Sequence, residues 1–334
     1  MSEPFYSKAL NLVWRAPSSH LPATVRVLNV VPSQYSPTVI SNLMLLGGFA
    51  DRDQVKAFAP EYPLPKGALA FLKDEERSLS IVPKFGRITY RNPKAVAAMY
   101  PRAPVQDLPD DRESVRLALA LLPSLGIDAM DLAAKADGTG PRFTIGSGSR
   151  GYRDKATGQY VKEEILRRVT FTRQLDGLDV VGGLRQGIHI TFGNHGVVSE
   201  LELDWRDVRS LGRFPTASVE QMFNWIREGR SRVQSTETTG GRWIQVSEIK
   251  RLTVTEVSLH YFAGTHDKPL EQLHPYALLK AEAELGEDDK ETIWLFCPAT
   301  AEGLPRPRRG NEGFSVYPSA RYERRALTGE PTSK

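Results

Sequence analysis

Apolar and polar residues alternate through much of the chain, most clearly in the stretch GIHITFGNHGVVSELELDW at 187–205. A period of two predicts strands with one buried face and one polar face. Asn194 and His195 lie between glycines and accept the positive φ of a two-residue hairpin turn, so His195 is interpreted as a turn residue. This turn would place His189 opposite Glu200. The predicted hairpin has an apolar face (Ile188, Ile190, Phe192, Leu201, Leu203, Trp205) and a polar face (His189, Thr191, Glu200, Glu202, Asp204).

The preceding stretch, LRRVTFTRQL, extends this polar face if it joins the same sheet. Its alternating polar positions are Arg168, Thr170, Thr172 and Gln174. Two interpretations of the combined surface stay open. One is a solvated face of an antiparallel sheet, which is common. The other is a concave polar pocket, which requires another part of the chain to cover the face.

The same order of elements occurs twice along the chain. A hairpin at 77–92 precedes a helix at 111–122, and the hairpin at 187–205 precedes a helix at 218–229, with further strands after each helix. Both helices begin with a capping signal, Asp110 with Glu113 in the first and Ser218 with Gln221 in the second. The sequence therefore predicts an α+β fold of two related antiparallel sheet-plus-helix units.

The chain divides into four predicted segments. Residues 1–67 form an irregular N-terminal segment with a strand at 24–31 and a short helix before Gly47, and a proline-rich connector ends it. Residues 68–164 and 165–300 form the first and second units. Residues 301–334 are rich in proline, glycine and arginine, which predicts an extended or mobile basic tail.

The amino-acid composition is typical of a folded protein and disfavours several classes of function. Hydrophobic residues make up 40% and charged residues 25% of the chain, as in soluble globular proteins. A net charge of +4 is too small to predict a nucleic-acid partner, which needs basic charge concentrated on one face. No run of about 18 apolar residues predicts a membrane span. The absence of a signal-peptide pattern predicts the cytoplasm, or an extracytoplasmic location if a leader was removed.

Residues with the potential for metal or nucleophilic chemistry are few. Cys297 is the single cysteine and lies in the apolar stretch WLFCPA, which favours a buried core position. His260, His266 and His274, with Asp267 and Glu271 nearby, have spacings that match no standard metal site, so neither a metal nor a cofactor is predicted. The loop GSGSRG at 146–151 is not followed by a helix pattern, which favours a mobile connector over a phosphate-binding loop.

Turn and helix signals in the second unit follow a fixed order, Asp176-Gly177, Gly196, Ser218 and His274-Pro275-Tyr276. This order resembles that of the YycH/YycI regulator group and the PepSY-type propeptide domains, over about residues 165–299. The resemblance implies a PepSY/YycI-like arrangement of sheet and helix. It also implies a regulatory or inhibitory binding module without catalytic residues.

These observations predict a non-enzymatic regulatory or binding module that recognises a protein or peptide partner through a sheet edge or the polar face. The alternative is a small-molecule enzyme or ligand-binding protein with a pocket around His189, Glu200 and Arg168. In that alternative His189 serves as general acid or base. Further ligand contacts are predicted for Thr170, Thr172, Thr191 and Glu202.

Overall fold

The chain forms two compact units in a computed structural model. The terminal unit consists of residues 1–29, 209–265 and 271–334, and the central unit consists of residues 30–208 and 266–270. The structure describes residues 4–5, 10–17, 21–49, 56–57, 67–73, 76–97, 103–154, 156–182, 187–237, 244–245, 248–263, 270–286, 289–302 and 315–316.

The described residues form three α-helices and twenty strands, joined in part by short 3₁₀ turns. The helices are α1 (Pro37–Leu46), α2 (Asp111–Leu121) and α3 (Val219–Arg227). The strands are β1 (Pro4–Phe5), β2 (Asn11–Trp14), β3 (Thr24–Val31), β4 (Lys56–Ala57), β5 (Leu69–Lys73), β6 (Arg77–Val82), β7 (Arg87–Arg91), β8 (Phe143–Arg153), β9 (Tyr160–Phe171), β10 (Gln174–Leu175), β11 (Leu178–Val181), β12 (Gly187–Phe192), β13 (Val198–Asp204), β14 (Asp207–Pro215), β15 (Ser231–Glu237), β16 (Ile244–Gln245), β17 (Arg251–Phe262), β18 (Gln272–Glu284), β19 (Lys290–Pro298) and β20 (Ser315–Val316).

An eight-stranded antiparallel sheet forms the central unit, in the order β4–β5–β6–β7–β13–β12–β9–β8. One face of the sheet packs against α1 and α2, which contribute Val39, Leu43 and Ala118 to the core. All six residues of the predicted apolar face of the hairpin at 187–205 are buried in this core, which confirms that assignment. The hairpin at 77–92 is confirmed as β6 and β7.

The two predicted hairpins are neighbours in this one sheet, because β7 pairs with β13. Ile88 lies opposite Leu203 and Tyr90 opposite Leu201, so the apolar faces of the two hairpins form a single core. The boundary predicted between residues 164 and 165 falls inside β9. The chain therefore divides into units differently from the predicted 68–164 and 165–300, although strands and helices lie where the sequence patterns place them.

Side-chain caps fix the starts of all three helices. Ser36 accepts a hydrogen bond from the backbone N–H of Val39 at the start of α1. At α2, Asp110 accepts from the N–H of Glu113 at 2.8 Å. The helix α3 begins with a complete capping box, in which Ser218 and Gln221 each bind the other's backbone. The helix starts predicted at Asp110 and Ser218 are confirmed.

The terminal unit contains a sheet in the order β1–β15–β19–β18–β17–β2, antiparallel except for the parallel pair β17–β2. Its core lies between this sheet and α3, where Met222 and Ile226 pack with buried residues of β18 and β19. Cys297 belongs to that core and is fully buried, as predicted. Burial raises the pKa of its thiol, so the residue is a core side chain and not a reactive thiolate.

The α+β class with two sheet-containing units is confirmed. The kinship of the two units and their likeness to PepSY-type domains stay predictions. No helix in the described part of the chain is long and apolar enough to cross a membrane. The proline-rich connector and the tail fall mostly outside the described residues, apart from β20, which pairs with β16.

The stretch GSGSRG is part of strand β8, so its interpretation as a mobile connector is wrong. The physical reason is that side chains of the neighbouring strand β9 occupy the space above two of its three glycines. A Cβ atom on Gly148 would lie 2.7 Å from the side chain of Leu166, and one on Gly151 would collide with the ring of Tyr160. The glycines therefore accept large cross-strand neighbours, which a sequence pattern of small residues does not reveal.

Candidate functional site

The hairpin β12–β13 has a register shifted by two residues from the predicted one. Asn194–Gly196 forms a 3₁₀ turn in which His195 has a φ of 57°, and an irregularity between Thr191 and Phe192 absorbs the longer loop. Because the shift is an even number, each side chain keeps its predicted face. The predicted pairing of His189 with Glu200 is wrong, since His189 lies opposite Glu202 and Thr191 opposite Glu200.

The positive φ of His195 confirms its role as a turn residue. Its imidazole also holds a neighbouring loop. Nδ1 lies 2.8 Å from a carboxylate oxygen of Asp107, and Nε2 lies 3.0 Å from the amide oxygen of Gln106. Both the imidazole and the Asp107 carboxylate are exposed to solvent. The contacts therefore tie the loop before α2 to the turn of the hairpin.

The sheet face opposite the core carries the predicted site residues in two rows, which we call the polar face. One row crosses the strands as Gly146, Arg168, Thr191, Glu200, Arg91 and Ser78. The neighbouring row crosses them as Thr144, Thr170, His189, Glu202, Thr89 and Ser80. Six of the seven predicted site residues thus lie side by side. Thr172, the seventh, lies beyond the end of β9, where its carbonyl accepts from Ala133.

Polar groups of the first row bind one another. The guanidinium of Arg168 donates from Nε to the hydroxyl of Thr191 at 3.0 Å and from Nη2 to Glu200 at 2.8 Å. Glu200 also lies 3.6 Å from the guanidinium of Arg91. Thr191 itself is 1% exposed. The first row is therefore a network in which Glu200 lies between two guanidinium groups and Arg168 also binds Thr191.

The second row is less charged and more deeply enclosed. The Nδ1 atom of His189 lies 3.1 Å from the hydroxyl of Thr170. Glu202 is buried and lies 4.0 Å from the outer guanidinium nitrogen of Arg91. His189 itself is half-buried. The row therefore places a histidine beside a carboxylate, as the small-molecule alternative requires. The two arginines of the face, Arg91 and Arg168, both lie close to Glu200.

Near the end of β13 lies a buried charged cluster that the sequence pattern does not predict. Arg206 is 4% exposed, and its Nε lies 3.5 Å from Asp204, a residue that the alternation places on the polar face. Arg173 donates to the backbone carbonyl of Arg206 and stacks over the ring of Trp205 at 4.5 Å. Burial lowers the pKa of Arg173. Asp204, Trp205 and Arg206 are consecutive, whereas Arg173 lies 33 residues before Arg206, and no local pattern marks their association.

The histidines considered as metal ligands do not form a metal site in the described residues. His260 and His274 lie on β17 and β18, where they face Tyr276 and Phe262. His266 and Asp267 lie outside the described residues. Among the described residues, no group of three His, Cys, Asp or Glu side chains has an arrangement that could hold a metal ion.

His274 is expected to make the protein less stable in mild acid. Burial lowers its pKa below the ordinary 6.5, against the opposing influence of Glu302. Between the folded-state pKa and pH 6.5 the unfolded chain therefore binds more protons at this residue than the folded protein does. The stabilisation is complete above pH 6.5 and is lost as the pH falls through the folded-state pKa. We expect His274→Gln to reduce the loss of stability between neutral and mildly acidic pH, as measured by urea midpoints. Equal losses in both proteins would exclude His274 as the titrating group.

The edge of the central sheet is the second candidate region. Strand β8 is 11 residues long and is the last strand in the sheet order. Among the strands that the structure describes, it pairs with β9 alone. Gly146 on this strand is exposed, and a Cβ atom built on it would have no neighbour within 4 Å. Among the described residues no strand pairs with the outer edge of β8 and no atom lies within 4 Å of a Cβ atom at Gly146, whereas Arg150 near the other end of the strand is buried.

Comparison with known proteins gives little functional information. No protein-family model and no curated protein matches the chain. A crystal structure of an uncharacterized protein from Eubacterium rectale ATCC 33656 is similar, with a TM-score of 0.46 and 10% sequence identity over 90% of each chain. Similarity at this level transfers no function.

Proposed function

We propose that this protein is a non-enzymatic binding module that recognises an extended segment of a peptide or protein partner by adding it as a strand to β8. The observation that carries the proposal is the position of β8 at the end of the sheet, with β9 as its one partner among the described strands. An edge strand presents backbone N–H and C=O groups that an extended peptide can bind.

The length of β8 supports this role. Its 11 residues span about 36 Å at ~3.3 Å per residue, enough for a partner strand of ordinary length. The strand at the opposite end of the sheet, β4, has two residues. Proteins commonly keep edge strands short or otherwise protected, because long edges pair with other chains. A long edge at one end of the sheet is therefore consistent with a partner that uses it.

Gly146 favours a partner with a large side chain at one position. In the hairpin β8–β9, side chains of β9 cover Gly148 and Gly151, whereas nothing lies near Gly146. The residue opposite Gly146 on β9 is Arg168, which turns towards Thr191 and Glu200. An aromatic side chain of an added strand could fill the space above Gly146 and pack beside the stem of Arg168.

The internal pairing of the polar face supports the sheet edge over the small-molecule alternative. Arg168 and Glu200 are bound to each other, and the Nδ1 atom of His189 is bound to Thr170. A ligand on this face would have to compete with these contacts. A strand added to β8 leaves all of them in place.

We expect defined strand peptides to bind at β8 and to protect its amide groups. The probes are fluorescein-labelled peptides of alternating threonine and valine, flanked by lysines, with either tyrosine or alanine at the centre. An aromatic contact of about 0.5–1.5 kcal/mol corresponds to roughly 2–12-fold tighter binding of the tyrosine peptide. Fluorescence anisotropy measures the affinity, and hydrogen exchange with mass spectrometry locates the protected amides.

Two proline variants provide the control. Neighbouring residues of a strand direct their N–H groups to opposite sides, so Gly146→Pro and Ser147→Pro remove one N–H bound to β9 and one at the free edge. The variant that keeps its stability is expected to lose peptide binding. Unchanged binding by that variant, or no protection of β8 at saturating peptide, would refute the proposal.

A further inference from the structure

Strand β14 carries a second exposed edge with a distinct chemical character. Its side chains alternate, so that Arg209, Leu211 and Arg213 share one face and all three are exposed, Leu211 to 41%. On the other face Gly212 and Phe214 are half-buried. An exposed leucine between two exposed arginines is therefore a defined surface, which we call the Arg–Leu–Arg face.

The guanidinium groups of Arg209 and Arg213 give the Arg–Leu–Arg face its charge. Within the part of the chain that the structure describes, neither guanidinium makes an ion pair or a hydrogen bond. This distinguishes them from arginines of the central unit, such as Arg150, Arg167 and Arg168, which pair with glutamates. An unengaged pair of guanidinium groups favours carboxylate ligands, which they bind through two parallel hydrogen bonds.

The backbone of β14 is available on one side as well. In the described residues the strand is hydrogen-bonded to β3 and to no other strand. Arg209 and Arg213 are four residues apart, which separates their Cα atoms by about 13 Å in a strand. Two negative charges at that spacing, with an apolar group halfway between them, match an extended peptide with acidic residues at positions i and i+4.

We propose that β14 binds an acidic extended segment of a partner protein, with two carboxylates on Arg209 and Arg213 and an apolar side chain on Leu211. Charge complementarity selects this occupant. The basic C-terminal stretch of the chain itself, which contains LPRPRRG and ARYERRA, carries the same sign of charge as the arginines. This site is separate from the one proposed at β8 and does not depend on it.

The experiment uses the full chain and three labelled peptides that differ at two positions. The probes contain Glu-Thr-Leu-Thr-Glu, Gln-Thr-Leu-Thr-Gln or Lys-Thr-Leu-Thr-Lys within the same neutral flanks. We expect the glutamate peptide to bind most tightly and its affinity to fall as salt is raised. Each exposed ion pair contributes about 0.2–1 kcal/mol, so Arg209→Gln with Arg213→Gln should weaken binding roughly 2–30-fold.

Arg153→Gln is the matched control, because Arg153 is an exposed arginine on the edge strand β8. It should leave the affinity for the glutamate peptide unchanged. Equal binding of the glutamate and glutamine peptides would overturn the proposal, as would an unchanged affinity in the double variant. A loss with Arg153→Gln alone would assign acidic peptides to β8 and also overturn it. Equally tight binding of a short oligothymidylate, lost in the double variant, would show a general polyanion site instead.

Discussion

Gly86→Ala is expected to destabilise the central unit by about 2–5 kcal/mol, the sum of left-handed backbone strain and a backbone collision. Gly86 has a φ of 61° and ends the turn between β6 and β7. A Cβ atom there would lie 2.6 Å from the carbonyl oxygen of Trp205 and 2.7 Å from the backbone of Arg206. The neighbouring atoms are backbone atoms, so they cannot move aside as a side chain could.

Gly138→Ala separates the two contributions. Gly138 has a φ of 70°, close to that of Gly86, but a Cβ atom there would have no neighbour within 4 Å. We expect this variant to lose about 1–2 kcal/mol, from the backbone strain alone. Urea unfolding combined with hydrogen exchange of β6, β7 and β13 measures both variants. Equal losses in the two proteins would show that the close approach of Trp205 is relaxed in solution.

Phe192→Ala should destabilise the protein by about 3–5 kcal/mol, because it leaves a cavity in the core of the central unit. Phe192 is 2% exposed and ends strand β12 beneath the polar face. The matched control is Val197→Ala in the loop of the same hairpin, where the side chain is 45% exposed. That change should alter stability by about 0.5 kcal/mol or less.

Urea midpoints of Phe192→Ala, Val197→Ala and the wild type decide this prediction. A similar loss for both variants would mean that the hairpin frays as a unit and that Phe192 is not held in the core. Intact hydrogen-exchange protection of β12 in the Phe192 variant would show that the loss comes from packing and not from unfolding of the strand.

Alternation of apolar and polar residues predicted the faces of the hairpin correctly even though the register was wrong. The reason is that a slip of two residues leaves each side chain on the same face. The register itself depends on loop length, and Gly193 and Gly196 permit both a two-residue and a three-residue turn. The membership of the hairpin's polar face therefore followed from the sequence, while the order of its residues in rows and the partner of His189 did not.

The pairing of strands that are distant in sequence could not be predicted from local sequence patterns. Nothing in the sequence near β7 indicates that its free edge binds β13, more than 100 residues later. The buried pair of Asp204 and Arg206 was also missed, because a polar residue on an alternating strand is assigned to the solvent face by default. The glycines of β8 were misjudged for a related reason, since Leu166 and Tyr160 supply the bulk that these positions lack.

The parallel pairing of β2 with β17 sets an order in which the molecule can fold during synthesis. Asn11 pairs with Arg251, so β2 is synthesised 240 residues (251 − 11) before its partner strand. Most of the central unit lies within residues 30–208 and is complete much earlier. We expect the central unit to form first and the terminal unit to close last, since contacts distant in sequence form slowly. Until then β2 has no partner strand, and we expect chaperones to bind its unpaired backbone and apolar side chains.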